Sequence, residues 1–188
     1  MIRFEDVTFG YTPEKAVLQR FSLTIPPEGR VYLTGASGQG KTTVLRLLLG
    51  LEKPWNGTVT IPEGVRFSAV FQEDRLLPWR TVLENVALHS DTDAARHWLT
   101  AVGLDDEWAD ARPEALSGGM RRRAALARAL AHPFDVLVLD EPLTGLDHAA
   151  KAQCLAAIRR AAGARALVMA GHDRSEAEAL GAAVIPLE

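Results

Sequence analysis

Residues 31–49 read VYLTGASGQGKTTVLRLLL: an apolar strand, a glycine loop and an apolar-periodic helix, in that order. No other stretch limits the possible folds as tightly. Gly35, Gly40, Lys41 and Thr42 satisfy the pattern G-x-x-x-x-G-K-[ST], in which bare backbone lets successive N–H groups wrap phosphate oxygens at the positive end of a helix. Lys41 adds a mobile point charge for the β- and γ-phosphates, and the Thr42 hydroxyl is a hard oxygen ligand suited to Mg²⁺. The plain alternative is a flexible glycine turn. The strand before the loop and the helix after it favour phosphate.

Around this junction the chain alternates strands and helices. Ile2, Phe4, Val7 and Phe9 alternate with a one-residue slip that points to a bulge or turn, whereas Phe21, Leu23 and Ile25 alternate cleanly, as do Val65, Phe67, Ala69 and Phe71. Residues 31–33, 136–139 and 166–170 are continuously apolar, as expected of strands covered by helices on both faces of a parallel sheet. Helices are expected near 41–49, 148–162 and 174–180. Residues 79–132 hold helix-like stretches (TVLENVAL, DAARHWLTAVGL, MRRRAALARALAH) and no convincing strand. One domain over 1–188 is therefore expected. Residues 1–78 and 133–188 form its α/β core, with an N-terminal antiparallel β subdomain, and 79–132 form an inserted helical subdomain.

Two further segments carry chemistry. FDVLVLDEP is a buried strand ending in Asp140 and Glu141, adjacent acids at the carboxyl edge where open α/β sheets bind ligands. Asp140 suits a Mg²⁺ shell beside the phosphate loop, and Glu141 is placed to polarise an attacking water; an acidic turn begun by Pro142 is the alternative. LSGGM, residues 116–120, opens an Arg-rich helix. Two glycines weaken a helix start by about 1 kcal/mol each against alanine, so something should require that backbone to be bare. Met120, Ala124, Ala127 and Ala131 share one helical stripe that anchors the helix, which leaves Arg121, Arg122 and Arg123 as a mostly solvated face, with a place for one of them near the phosphate site as the alternative.

Together these segments resemble the nucleotide-binding subunits of ABC transporters, with seven motifs in the family's order from residue 11 to residue 172. Tyr11 in FGYTP is similar to the aromatic residue that stacks on adenine. GASGQGKTT resembles Walker A, Gln72 in VFQED the Q-loop, LSGGM the LSGGQ signature, VLVLDEP Walker B, LTGLD with Asp147 the D-loop, and His172 in GHD the switch histidine. The resemblance implies a P-loop NTPase (RecA-like) core with a mainly parallel sheet, using ATP and Mg²⁺. ATP would contact Tyr11, Gly35, Ala36, Ser37, Gly38, Gln39, Gly40, Lys41, Thr42 and Thr43. Thr42, Gln72 and Asp140 would hold the metal, and Glu141, His172, Gln72 and Lys41 would serve hydrolysis. In this family two cassettes pair head to tail, so Ser117, Gly118, Gly119 and Asp147 would reach the ATP of a second ATP-binding subunit. Asp147 reads equally as the N-cap of the following helix, and His172 taken alone as a strand-end histidine.

Residues 71–88, FQEDRLLPWRTVLENVAL, resemble the Q-loop region of nitrate, sulfonate and taurine importers. That implies a transmembrane permease subunit docked on 73–80, a solute-binding protein in the full complex, and a cytoplasmic location on the inner face of the membrane. Leu76, Leu77, Pro78 and Trp79 form either a socket for that permease or part of the helical subdomain's own core. Three features depart from the family pattern. Met120 replaces the usual signature glutamine, Gly171 stands where Ser or Thr often precedes the switch histidine, and the residues after His172 are few, so AVIPLE is expected to be a final strand and no regulatory domain is expected. A soluble ABC-type ATPase and a P-loop kinase remain as alternatives, but LSGGM is unexplained in a kinase. The net charge of −3 offers no whole-protein attraction to nucleic acid, so none is expected as a partner. The start MIRFEDVTF lacks the apolar core of a signal peptide. Cys154, the single cysteine, is expected to be a buried structural thiol. His89, His97, His132 and His148 show no metal-ligand spacing and are expected at the surface.

Overall fold

A computed structural model describes residues 1–187; Glu188, the last residue of the expected terminal strand, lies outside them. The two kinds of strand pattern sort into two sheets. The apolar runs belong to β3 (Arg30–Thr34), β6 (Val136–Asp140) and β7 (Ala166–Ala170), which join β5 (Phe67–Val70) and β8 (Ala183–Pro186) in a parallel sheet of order β5-β6-β7-β3-β8. The alternating segments β1 (Ile2–Phe9) and β2 (Leu18–Ile25) pair with β4 (Asn56–Thr60) in an antiparallel sheet of order β2-β1-β4. β5 is shorter than the alternating run 65–71 that suggested it.

Every residue of β6 and β7 is buried because the parallel sheet is covered twice. Successive side chains point to opposite faces. Tyr32, Leu137, Leu139, Leu167 and Met169 meet one apolar cluster, and Val31, Leu33, Val136, Val138 and Val168 meet another. The second cluster is shared with α1 (Lys41–Leu48) and with Phe4, Val7, Leu18 and Ile25 of the antiparallel sheet. The slip in β1 is a real irregularity: its register with β2 shifts between Phe4 and Val7, and Asp6 takes φ 49°.

Between β5 and β6 lie α2 (Val82–Val86), α3 (Thr92–Ala101) and α4 (Gly118–Ala131), with no strand among the described residues. These helices do not enclose a core of their own. Val82, Leu99 and Leu126 belong to the same cluster as Leu137 and Met169 of the sheet, and Ser68 Oγ of β5 donates to Ala129 O of α4 at 2.7 Å. That wedge corrects the single-stripe expectation for α4. Besides Ala124, Ala127 and Ala131, the helix buries Ala125, Leu126, Ala129 and Leu130, because lobe helices and sheet press on it from different sides. α5 (His148–Ala162) and α6 (Arg174–Leu180) complete the core. Cys154 in α5 is fully buried, and burial pushes its thiol up to about 12, so it stays a protonated packing group.

Candidate functional site

The phosphate-loop glycines are required by the chain itself. Gly35, Gly38 and Gly40 have φ of 153°, 85° and 91°, which side chains rarely adopt. At Gly40 an added Cβ would also stand 2.9 Å from Leu18 Cδ2. Gln39 folds back so that its Oε1 accepts from Ala36 N. α1 starts at this point with no side-chain cap and no acidic residue of its own first turn, so no side chain of the helix itself occupies its leading N–H groups.

Lys41 is 7% exposed. Its ammonium donates to Gly35 O at 2.8 Å and Ala36 O at 3.1 Å, and lies 3.7 Å from Glu141 Oε1. Thr42 Oγ1 donates to Asp140 Oδ2 at 2.8 Å, while Asp140 Oδ1 is buried without a hydrogen-bond partner among the described residues. Burial raises the Asp140 carboxyl above its usual range; the Glu141 charge adds to this and the Thr42 hydrogen bond opposes it. A hydroxyl beside a buried carboxylate with one oxygen unsatisfied is a donor set that fits Mg²⁺. Glu141 has φ 49° and donates its N–H to Ala170 O at 3.0 Å. Left-handed backbone at a non-glycine residue is strained, and here it turns the second acid away from the strand.

A cleft of ≈ 400 Å³ collects most of the expected residues. Ser37, Gly38, Gly40, Lys41, Thr42 and Thr43 line it, together with Gln72, Glu141 and Tyr11. Tyr11 is 56% exposed, packs edge-on against Phe9 at 5.2 Å, and has its hydroxyl 3.3 Å from Thr43 Oγ1. Phe9 in turn contacts Trp55, with ring centroids 6.1 Å apart. Val17 also lines the cleft. Neither Val17 nor Trp55 carries a motif signal, so the sequence did not reveal them.

The other expected residues lie elsewhere. His172 is exposed just beyond β7, on the same carboxyl edge of the sheet; its neighbour Gly171 donates to Leu33 O at 3.1 Å. Ser117 is exposed and caps α4, its Oγ accepting from Met120 N at 3.2 Å. Gly119 adjoins the 145–146 turn, where an added Cβ would stand 3.4 Å from Leu146 Cδ2. Asp147 caps α5, accepting from Ala150 N at 2.9 Å.

Arg121, Arg122 and Arg123 are not a solvated face. All three are half-buried. Arg121 donates to Leu116 O at 2.8 Å, Arg122 to Phe71 O at 3.1 Å and Arg123 to Gly103 O at 2.5 Å. Arg122 also lies 3.3 Å from Asp74 Oδ1, and Arg128 donates to Asp74 O and Arg75 O at 3.0 and 2.8 Å. The signature helix thus grips the backbone on either side of Gln72. The 76–79 group divides. Leu76 packs on the core cluster, whereas Trp79 is 68% exposed. Their loop is pinned by fully buried Asn85, which accepts from Leu77 N at 2.7 Å and donates to the carbonyls of Leu77, Arg80 and Thr81. Of the four histidines expected at the surface, His132 is half-buried against His89, ring centroids 5.2 Å apart.

The sequence matches the ABC transporter family model over residues 18–144. It is 40% identical over 189 residues to the aliphatic sulfonates import ATP-binding protein SsuB 1 of Shouchella clausii, covering 96% of this chain and 74% of that protein. Against SsuB of Escherichia coli K12 it is 42% identical over 192 residues, covering 93% and 72%. The fold matches a dimeric structure of the ATP-binding cassette MJ0796 in a post-hydrolysis state bound to ADP and Pi, with TM-score 0.88, 26% identity, and coverage of 100% of this chain and 94% of that one. A second dimeric structure of the same cassette gives TM-score 0.89 at 27% identity with the same coverage.

Proposed function

This chain belongs to the ABC transporter family, and on that premise we propose that it is the ATP-hydrolysing subunit of an importer whose cargo is an aliphatic sulfonate. As a member it binds and hydrolyses ATP, pairs with a second ATP-binding subunit and works with a membrane permease. One observation carries the mechanistic reading: Lys41, Thr42, Asp140 and Glu141 converge at the carboxyl edge of the parallel sheet, while LSGGM lies at a separate helix start that exposes Ser117 and Gly118.

The Lys41 ammonium is held by two neutral carbonyls and one carboxylate beyond hydrogen-bond length, so charged phosphate oxygens are better acceptors and draw it onto the β- and γ-phosphates. Tyr11 offers its exposed ring to the adenine, and the loop residues that line the cleft, Ser37, Gly38 and Gly40, offer backbone N–H groups; Ala36 and Gln39, whose N–H groups are bonded within the loop, would have to release them to join the contact. Thr42, Asp140 and Gln72 would hold Mg²⁺, which when bound neutralises charge on the phosphates. Glu141 takes a proton from the attacking water, and His172 contacts the γ-phosphate. Ser117, Gly118, Gly119 and Asp147 close over ATP on the partner. Trp79 and its neighbours in 73–80 meet the permease, with a solute-binding protein in the assembly and the subunit peripheral on the inner membrane face. The proposed core (1–78, 133–188) carries the phosphate loop and the helical subdomain (79–132) carries the signature helix, the two packed on one shared apolar cluster. No helix among the described residues is long and apolar enough to cross a membrane. The relatives' names support the sulfonate.

The test is ATPase activity of the subunit purified with its permease and reconstituted with the solute-binding protein. Stimulation by an aliphatic sulfonate is expected. Stimulation by nitrate alone overturns the cargo, and phosphate transfer to an acceptor without net phosphate release overturns the ATPase.

A further inference from the structure

The tripeptide Gly171-His172-Asp173 is gripped from the side of the sheet away from the nucleotide cleft. Tyr32, in the middle of β3, is fully buried. Its hydroxyl donates to Glu176 Oε2 at 2.8 Å and accepts from Asp173 N at 3.2 Å. Lys151 of α5 closes the network, 2.8 Å from Glu176 Oε1 and 3.2 Å from Asp173 Oδ2. The second Asp173 oxygen accepts from Ser175 N and Oγ. Glu176 is only 4% exposed, and the two donors Tyr32 and Lys151 satisfy its buried carboxylate oxygens. Burial, reinforced by Glu176, raises the Tyr32 phenol above its usual range, which keeps the hydroxyl a donor.

Gly171 fits this network for a steric reason and not a backbone one, since its φ is not positive. A Cβ at 171 would run into the Tyr32 hydroxyl and stand 2.7 Å from Tyr32 Cζ. The phenol therefore occupies the space that any side chain at 171 would need. It touches the residue before His172 and bonds the residue after it.

We propose that Tyr32 is a positioning residue for His172, with Gly171 as its obligate complement and Glu176 and Lys151 holding the phenol in place. The exposed imidazole is aimed by backbone fixed on both sides, and the fixing group comes from β3, 140 positions earlier in the chain. This rests on His172 being the γ-phosphate contact proposed above.

Steady-state ATPase kinetics of the reconstituted complex test it, with thermal melts to check folding. Tyr32→Phe keeps the ring and removes only the hydroxyl. It should lower kcat by about tenfold, the effect of one lost positioning hydrogen bond, and leave the KM for ATP unchanged because Lys41 and its loop are untouched. Gly171→Ser should lose more, because its side chain meets the phenol. Tyr32→Leu/Gly171→Ser makes room and returns a hydroxyl to the same place, so it should turn over faster than Gly171→Ser alone, a coupling that two unrelated lesions do not show. If Tyr32→Phe does not fold, this comparison decides. Wild-type kcat in Tyr32→Phe, a raised KM with kcat intact, or a double variant no faster than Gly171→Ser overturns the proposal. His172→Ala separates the two layers: if it leaves kcat unchanged, the assignment of His172 itself fails; if it abolishes turnover while Tyr32→Phe stays at wild-type rate, only the positioning role fails.

Discussion

α1 and α4 both begin at a glycine with a hydroxyl residue close by in sequence, but the chain makes different demands on the two. At α1, Gly40 takes a left-handed φ of 91° and has Leu18 pressed against it, Thr42 bonds Asp140, and Lys41 lies beside Glu141. At α4, Gly118 has ordinary φ, and an added Cβ would find only the tip of Arg121 at 4.0 Å. Ser117 there serves only its own helix. A glycine in a first turn weakens a helix, and no contact among the described residues requires glycine at 118; on the proposed function the requirement comes from the partner's nucleotide. The phosphate loop is a site that folding completes. On the proposed function, the signature is half of one.

The largest effect that separates the two is expected from Ser117→Arg. Hydrolysis should vanish while ATP binding to the monomer, read by equilibrium dialysis or fluorescence, survives. Mixing Ser117→Arg with Lys41→Ala chains puts both lesions in one composite site and leaves the other intact, so some activity should return. Loss of ATP binding in the Ser117→Arg monomer would make the signature part of its own chain's site.

Glu141→Gln comes next. It should slow hydrolysis by ~10²–10⁴-fold, the range for a lost general base, and keep ATP binding, so that ATP drives a dimer visible by size-exclusion chromatography. Near-normal turnover removes Glu141 from the proposed role.

The glycines sharpen the comparison by sign. Gly40→Ala should destabilise the fold by about 1–3 kcal/mol, because alanine is strained at that φ and clashes with Leu18. Gly118→Ala should raise stability by up to about 1 kcal/mol through helix propensity while lowering hydrolysis by the dimer. Chemical denaturation with parallel ATPase assays reads both. A destabilised Gly118→Ala would mean that the chain itself needs that glycine.

The smallest effect is on stability in Trp79→Ala. With most of the indole in solvent, the change should stay within about 0.5 kcal/mol, and basal ATPase should persist while co-purification with the permease weakens. A protein that unfolds would return Trp79 to the lobe's own core.

What could be read from the sequence was local. Strand periodicity, the bulge in β1, the loop glycines and the two acids of LDEP follow from neighbours along the chain, because backbone conformation and sheet-face alternation are short-range properties. Contacts between distant segments carry no such periodic mark. Three arginines in a row look like a solvated face until folding brings the carbonyls of Phe71 and Gly103 beside them. Gly171 looks like a mild departure until β3 and β7 pair and Tyr32 takes its space. Asn85, unremarkable in sequence, becomes the pin of the 77–81 loop only once α2 is packed and water is gone. The sequence by itself determined which groups could hold phosphate and metal. Tertiary structure decided which of them meet in one cleft, and it left Ser117 facing outward, because burial and pairing depend on segments that only the packed sheet brings together.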